Sequence, residues 1–232
     1  MSILIYAESS EGKFKKVAFE LASYAKKIAA SLNTTVTAIT INAEDISELA
    51  KYGVDKVLKV NNPKLSSFNA KAYANTIHQA VIKENIKLVV LSSTTDSLYL
   101  APLLAISIEA GLTTNVIGLP ISTSPFQVKR TVFSNKAFNI TEISSDIKIL
   151  CLSKNSYGIV ETNSTSSTED FNVTIKNEDF GIKTESVEKT SGKVTIADAD
   201  IVVSAGRGLK GPENWGMIEE LASVLGAATA CS

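Results

Sequence analysis

The sequence predicts an α/β protein in two parts. The first is a mostly parallel, three-layer sheet domain with an antiparallel β extension. The second is the opening β-α unit of another α/β domain. Three observations carry this. Up to Gly111, short apolar runs alternate with segments that are apolar every three or four residues, the order in which parallel strands are joined by helical crossovers. Between Val116 and Leu152, β-type runs follow one another without helices, which suggests antiparallel strands. After Thr190-Ser191-Gly192-Lys193, which reads as an interdomain linker, the strand–helix alternation restarts. At ~150 residues per domain, the 232 residues amount to about one and a half domains. The expected division is therefore one domain at 1–193 and the start of a second at 194–232.

The elements follow in order. Ile3 to Ala7 is an unbroken apolar run, as in a strand buried on both faces. Val17, Leu21, Tyr24, Ile28 and Leu32 then mark one face of a long helix. Val36 to Ile41 is a second strand. Glu44 to Tyr52 is a short helix that Gly53 can end in the left-handed conformation. Lys56 to Val60, a helix from Asn69 to Glu84, and Leu88 to Leu91 continue the alternation. A helix from about Leu98 to Ala110 is closed by Gly111. Val128 to Phe133, Ala137 to Ile143 and Ile147 to Leu152 form the extension. The polar run Thr162 to Asp170 is an exposed loop, and Phe171 to Ile175 and Ile182 to Val187 look like two more short strands. Past the linker come a strand at Ala199 to Ala205, a glycine-rich turn, and a helix marked by Trp215, Ile218, Leu221, Ala222 and Leu225. Gly226 can end that helix, and a further strand starts at Ala227.

Composition removes several classes of function. Twenty-four acidic residues nearly cancel 23 basic ones, so a nucleic-acid binder is disfavoured. No apolar run approaches the ~20 residues needed to insert across a membrane. The N-terminus reads as a strand, without signal or transit character, and Cys151 and Cys231 are too few for a secreted disulfide framework, so a cytoplasmic protein is expected. Asn-x-Ser/Thr triplets at Asn33, Asn139, Asn163 and Asn172 are read as chance. The single histidine, His78, is expected at a helix surface or boundary. With two distant cysteines it could make a zinc site only with several carboxylates added, and a Ser-His-Asp or Cys-His hydrolase is disfavoured.

Ligands of such sheets bind outside the carboxyl ends of the strands. Two loops therefore matter in the first domain: Ala7-Glu8-Ser9-Ser10, and Ser92-Ser93-Thr94-Thr95-Asp96. The second reads first as a cap for the helix after it, because it has no glycine to let the backbone wrap a phosphate. In the second domain, Gly206-x-Gly208-x-x-Gly211 matches the dinucleotide-binding spacing between a strand and a helix. However, Pro212 places Gly211 before the helix and not inside it. On spacing alone, a phosphate cradle and a plain tight turn with Arg207 at the surface stand level.

Longer motifs say more. The run Ala199-Asp-Ile-Val-Val-Ser-Ala-Gly-Arg-Gly-Leu-Lys-Gly-Pro-Glu-Asn-Trp215 is followed by Ile218-Glu219-Glu220-Leu221-Ala222 and Leu225-Gly226-Ala227-Ala228. It strongly resembles the opening of the second domain in the α subunits of electron transfer flavoproteins. Three first-domain segments are similar to that family's signatures. They are the strand ending in Ala7-Glu8, Ser92-Ser93-Thr94 with Leu100-Ala101-Pro102 and Gly111 to Val116, and Lys129-Arg130 with Phe133 to Ala137. The resemblance spans the chain and is most specific at 199–228. Two loops depart from it: Asp96-Ser97-Leu98-Tyr99 replaces Gly-Arg-Asp, and Ser134-Asn135 replaces Gly-Gly. Both suit a scaffold better than a ligand contact.

The resemblance implies the α subunit of a heterodimeric electron carrier. Its FAD would take electrons from acyl-CoA dehydrogenases and other flavin dehydrogenases and pass them to a quinone oxidoreductase or another acceptor. It implies a first domain packed on a β subunit that carries AMP, and a second domain holding FAD in a shared cleft. Residues of this sequence implied at that cofactor are Gly206, Arg207, Gly208 and Ser232, where Ser232 matches the serine before the family's flavin-side arginine. Most FAD contacts in the family lie further along, so this chain alone is not expected to retain the flavin. No catalytic acid, base, nucleophile or metal site is expected. The competing expectation is an adenine-nucleotide-binding module of the universal-stress type, with its ligand at Ala7 to Ser10 and Ser92 to Asp96. Such a module has no reason to carry Ala205 to Trp215.

Overall fold

A computed structural model describes residues 2–162, 164–182, 184–186, 196, 199 and 201–231. The chain divides into two compact units, Met1–Lys183 and Thr184–Ser232.

In the first unit, β1 (Ser2–Tyr6) is followed by a two-strand hairpin, β2 (Ser9–Ser10) and β3 (Lys13–Phe14), and by α1 (Lys16–Leu32). Then come β4 (Val36–Ile41), a tight helical turn at Ser47–Tyr52, β5 (Lys56–Val60), α2 (Ala70–Lys83), β6 (Ile86–Ser92) and α3 (Thr95–Ser107). The rest is β7 (Gly111–Val116), β8 (Ser122–Thr123), β9 (Phe126–Val132), β10 (Ala137–Glu142), β11 (Lys148–Leu152) and β12 (Ser167–Asp170). One sheet runs β10-β9-β7-β11-β6-β1-β4-β5-β12, with β8 paired to β9. Every pairing from β7 to β12 is parallel, and those of β9 with β7, β8 and β10 are antiparallel.

Strand alternation sends side chains to two cores, one on each face. Leu4, Ile39, Leu58, Val89 and Ile149 meet Ile77 of α2 and Leu100 and Leu104 of α3. Ile3, Ile5, Val57, Val90 and Leu150 meet Leu21, Tyr24 and Ile28 of α1. Each such buried aliphatic chain contributes roughly 1.5–3 kcal/mol, and the result is the expected three-layer α/β architecture. The cap at Thr94 and the left-handed Gly53, at φ +93° after the turn at Ser47–Tyr52, hold, while Asn69 is the cap of α2 and α3 begins at Thr95, ahead of the expected Leu98.

Five expectations change. The run ending at Leu152 is not part of the antiparallel extension. As β11 it lies between β6 and β7, parallel to both, with all five residues buried. Gly111 does not close a helix; α3 ends at Ser107 and Gly111 opens β7. A Cβ at Gly111 would come within 2.3 Å of the Ser145 Oγ. The polar run 162–170 is not all loop, because Ser167–Asp170 pairs in parallel with β5 as an edge strand. A sheet edge needs only backbone partners, so mostly exposed polar side chains are no obstacle. Phe171 to Ile175 is not a strand. Thr174 is bound through its backbone N–H and C=O to Gln79, and Asp179 accepts from Asn75, which holds this segment on α2. At Ile182 to Val187 no strand is present among the described residues, and the expected linker 190–193 lies outside them.

The second unit contains β13 (Val202–Ala205), α4 (Gly216–Leu225) and β14 (Ala228–Cys231). The two strands are parallel, with Val202 opposite Ala228 and Ala205 opposite Cys231. Gly226 ends α4 at φ +62°. Among its described residues only Ala222 and Ala228 are buried.

Candidate functional site

In the first unit β1 has β4 on one side and β6 on the other, so chain order reverses between β1 and β6. The crevice at their carboxyl ends is the position where open sheets take ligands. Here the chain fills it with its own groups. The Glu8 carboxylate is 2% exposed. Its Oε1 accepts from Thr94 Oγ1 at 2.7 Å and from Ser97 Oγ at 3.4 Å, and Lys15 Nζ lies 3.2 Å from Oε2. Thr94 Oγ1 also accepts from the Ser97 N–H at 3.2 Å, so the helix cap and the carboxylate share one hydroxyl. The β2–β3 hairpin is tied alongside: Ser9 Oγ donates to the Ile41 carbonyl at 3.0 Å, and the Lys15 N–H donates to the Glu8 carbonyl at 3.0 Å. Gly12 turns the hairpin at φ +78°, where a Cβ would lie 2.6 Å from the Glu44 side chain. Below the crevice Tyr6 and Tyr73 meet edge to face at 6.1 Å. Burial pushes the Tyr6 hydroxyl well above its ordinary range and that of Tyr73 up to about 12, so both stay neutral.

A buried carboxylate already holding two hydroxyls and an ammonium repels a phosphate at the same place. The sequence singled out both loops and the capping role of Thr94. It did not single out Glu8 as the group that joins them, because the contact spans 86 residues of chain.

In the second unit Gly206 precedes a single helical turn at Arg207–Leu209, and Pro212–Asn214 makes another before α4. The Leu209, Lys210 and Gly211 amides are bonded inside the turn, to the carbonyls of Gly206, Arg207 and Leu209. Asn214 Nδ2 donates to the Leu209 carbonyl at 2.7 Å and ties the two turns together. The glycines are not required by the turn itself. Gly206 has φ −138°, Gly211 has φ −165°, and a Cβ at Gly208 would meet nothing within 4 Å. Arg207 is exposed and without a hydrogen-bond or ion-pair partner among the described residues. Trp215, at the start of α4, supplies no side-chain cap. The turn thus offers a free guanidinium, an open glycine and an uncapped helix start. That set fits an anionic cofactor approaching from outside the unit. The structure places Gly206, Arg207 and Gly208 together in this turn, and Ser232 lies outside the described residues. Among the described residues no group of three or more His, Cys, Asp or Glu side chains could hold a metal ion, and no helix is long and apolar enough to cross a membrane.

Fold and sites define an open α/β sheet protein whose first unit has closed its own ligand crevice and whose second carries a glycine-rich strand–turn–helix. The model of the electron transfer flavoprotein domain matches residues 3–176, and that of the electron transfer flavoprotein FAD-binding domain matches 195–232. The chain is 30% identical over 234 residues to the electron transfer flavoprotein subunit alpha of Bacillus subtilis, covering 99% of this chain and 71% of that one. The subunit alpha of Thermoanaerobacterium thermosaccharolyticum is 31% identical, with 99% and 72% covered. The LctC subunit of a lactate dehydrogenase (NAD(+),ferredoxin) from Acetobacterium woodii is 26% identical, with 57% of its length covered. The chain belongs to the electron transfer flavoprotein family, among its α subunits. The universal-stress-type alternative is not favoured.

Proposed function

We propose that the chain serves a heterodimeric electron carrier as the scaffold and one wall of the flavin site, and takes no part in bond-making chemistry. The observation that carries this is the Gly206–Trp215 turn, an open, cationic strand–turn–helix within the part that matches the FAD-binding domain. In this reading residues 1–193 are the domain that packs on a β subunit, and 194–232 belong to the flavin domain. The partner carries AMP, whose place in this chain Glu8 has taken. Electrons arrive from acyl-CoA or other flavin dehydrogenases and leave to a quinone oxidoreductase or another acceptor, in the cytoplasm. FAD, when bound, supplies the redox chemistry. Arg207 pairs with its negative charge, Gly206 and Gly208 let the cofactor approach the backbone, and Ser232 is assigned to the flavin side by the family resemblance alone.

The test is co-expression with the β subunit encoded in the same genome, followed by FAD titration read as flavin fluorescence. Association into a stable pair supports the reading, and whatever FAD affinity the pair shows is expected to fall about tenfold in Arg207→Ala, the factor that a charge-assisted contact of ~1.4 kcal/mol gives. Failure of the two chains to associate, or tight AMP binding by this chain alone, overturns it.

A further inference from the structure

Lys210 closes the glycine-rich turn in a conformation that a side chain disfavours. Its φ is +66° and its ψ −34°, close to the form of the γ-turn that carries a positive φ, which is rare and strained. The bond of that turn is present, from the Gly211 N–H to the Leu209 carbonyl at 2.8 Å. Strain of this kind persists only where the surroundings hold it. Here one residue grips both flanks of Lys210. Asn214 donates from Nδ2 to the Leu209 carbonyl at 2.7 Å, and from its backbone N–H to the Gly211 carbonyl at 3.2 Å. The effect reaches Arg207, because the Lys210 N–H donates to the Arg207 carbonyl at 3.0 Å. Arg207 and Lys210 thus stand on one short turn. Both are exposed, and neither side chain has a hydrogen-bond or ion-pair partner among the described residues. Glu213 lies closest in sequence among the carboxylates, but it folds back on Gly211, where a Cβ would meet its oxygens at 2.3 Å. No ion pair joins it to either cation among the described residues.

We infer that Asn214 is a positioning residue for the cofactor: it locks the strained turn and so keeps Arg207 and Lys210 side by side, facing one anionic group. This rests on the assignment of the turn to the flavin nucleotide above. Two features separate this role from a plain structural tie. A turn built for stability alone would carry glycine at the positive φ, not lysine. Two cations three residues apart repel each other, and the chain supplies neither with a carboxylate. Both features cost stability in the free chain, and both are offset when an anion lies between the two cations. The residue type also fits. The amide of Asn214 donates to a carbonyl and brings no charge to the turn, whereas an aspartate in its place could not donate and would repel the anion.

The test uses the full chain, free and paired with the β subunit encoded in the same genome. In the free chain, trypsin cleavage after Arg207 is timed by mass spectrometry. Asn214→Ala is expected to speed it about fivefold, the factor that one net hydrogen bond gives. Adding Lys210→Gly to Asn214→Ala should restore most of the protection, because glycine takes the positive φ without a lock. In the pair, FAD affinity is read by flavin fluorescence. Asn214→Ala is expected to lower it about fivefold. Added to Arg207→Ala with Lys210→Gly, it should lower it no further, since the residue acts through the two cations. Circular dichroism verifies that each variant is folded. Unchanged cleavage, or unchanged FAD affinity in Asn214→Ala where Arg207→Ala weakens it, overturns the inference and leaves the cofactor assignment standing. An equal loss with and without the two cations makes Asn214 a structural tie and overturns it too. FAD affinity indifferent to Arg207→Ala overturns the assignment of the turn and this inference with it. A pair that takes up no FAD overturns this inference while leaving the heterodimer standing.

Discussion

At the scale of single residues, the described carboxylates do their work by holding distant segments together. Glu8 joins the loops after β1 and β6, and Glu20 accepts from the amides of Asn155, Tyr157 and Gly158. Glu169 is the clearest case for a pH effect. Lys56 Nζ lies 2.8 Å from its Oε2, and Lys83 reaches its other oxygen. The hydrogen bond from Lys56, followed by that from Lys83, lowers its carboxyl from the usual 4.5 to about 2. A depressed folded-state value means that the pairing stabilises fully above 4.5 and fades as pH falls toward 2. The pair is solvent-exposed, so the effect is small and screened by salt. The expected outcome is that wild type exceeds Glu169→Gln in urea midpoint at pH 6, and that the two curves converge by about pH 2. A gap that persists at pH 2 would show that the difference has another origin. None of these pairings was legible in the sequence. The loops and caps were, because capping depends on neighbours three residues apart, whereas the Lys83–Glu169 pair spans 86 residues.

At the scale of elements, legibility followed burial on one face against burial on two. Helices α1 and α2 show a clear apolar stripe and were placed to within a residue or two. Strands β1, β4 and β6, buried on both faces, read as plain apolar runs. Strand β11 reads the same way, as Lys148-Ile-Leu-Cys-Leu152, but its sheet position depends on which strands flank it, and nothing local encodes that. Strand β7, Gly111-Leu-Thr-Thr-Asn-Val116, was hidden by its polar centre, and β12 by having almost no apolar residues. The position of β11 has an energetic consequence. Ile149 is 0% exposed and packs with Val89 and the α2–α3 side of the core. Ile149→Ala is expected to cost about 2–5 kcal/mol, as for large-to-small changes in a core that cannot collapse. Thr168→Ala, on the exposed edge strand β12, is expected to stay within ~0.5 kcal/mol. Urea denaturation of both variants checks this. Equal costs would mean that β11 is not the central strand described.

At the scale of the molecule, the two units differ in how much they bury. The first unit carries two apolar cores, one on each side of a ten-stranded sheet. The second buries only Ala222 and Ala228 among its described residues, while Met217, Leu221, Val224 and Leu225 remain exposed along α4. One parallel strand pair and a helix leave most of that apolar face in water. The partition was legible in the sequence through the restart of strand–helix alternation and the motif at 199–228. Native-state hydrogen exchange should resolve it. In the isolated chain, the amides of β1, β4 and β6 are expected to exchange only through global unfolding. Those of β13, α4 and β14 should exchange through local opening at least a hundredfold faster, a gap of ~2.7 kcal/mol or more. Added urea should then accelerate the first group strongly and the second weakly, because local opening exposes less new surface than global unfolding. Equal protection and equal urea dependence across both units would show that they unfold as one, and the second unit would then owe its stability to burial beyond its own described residues.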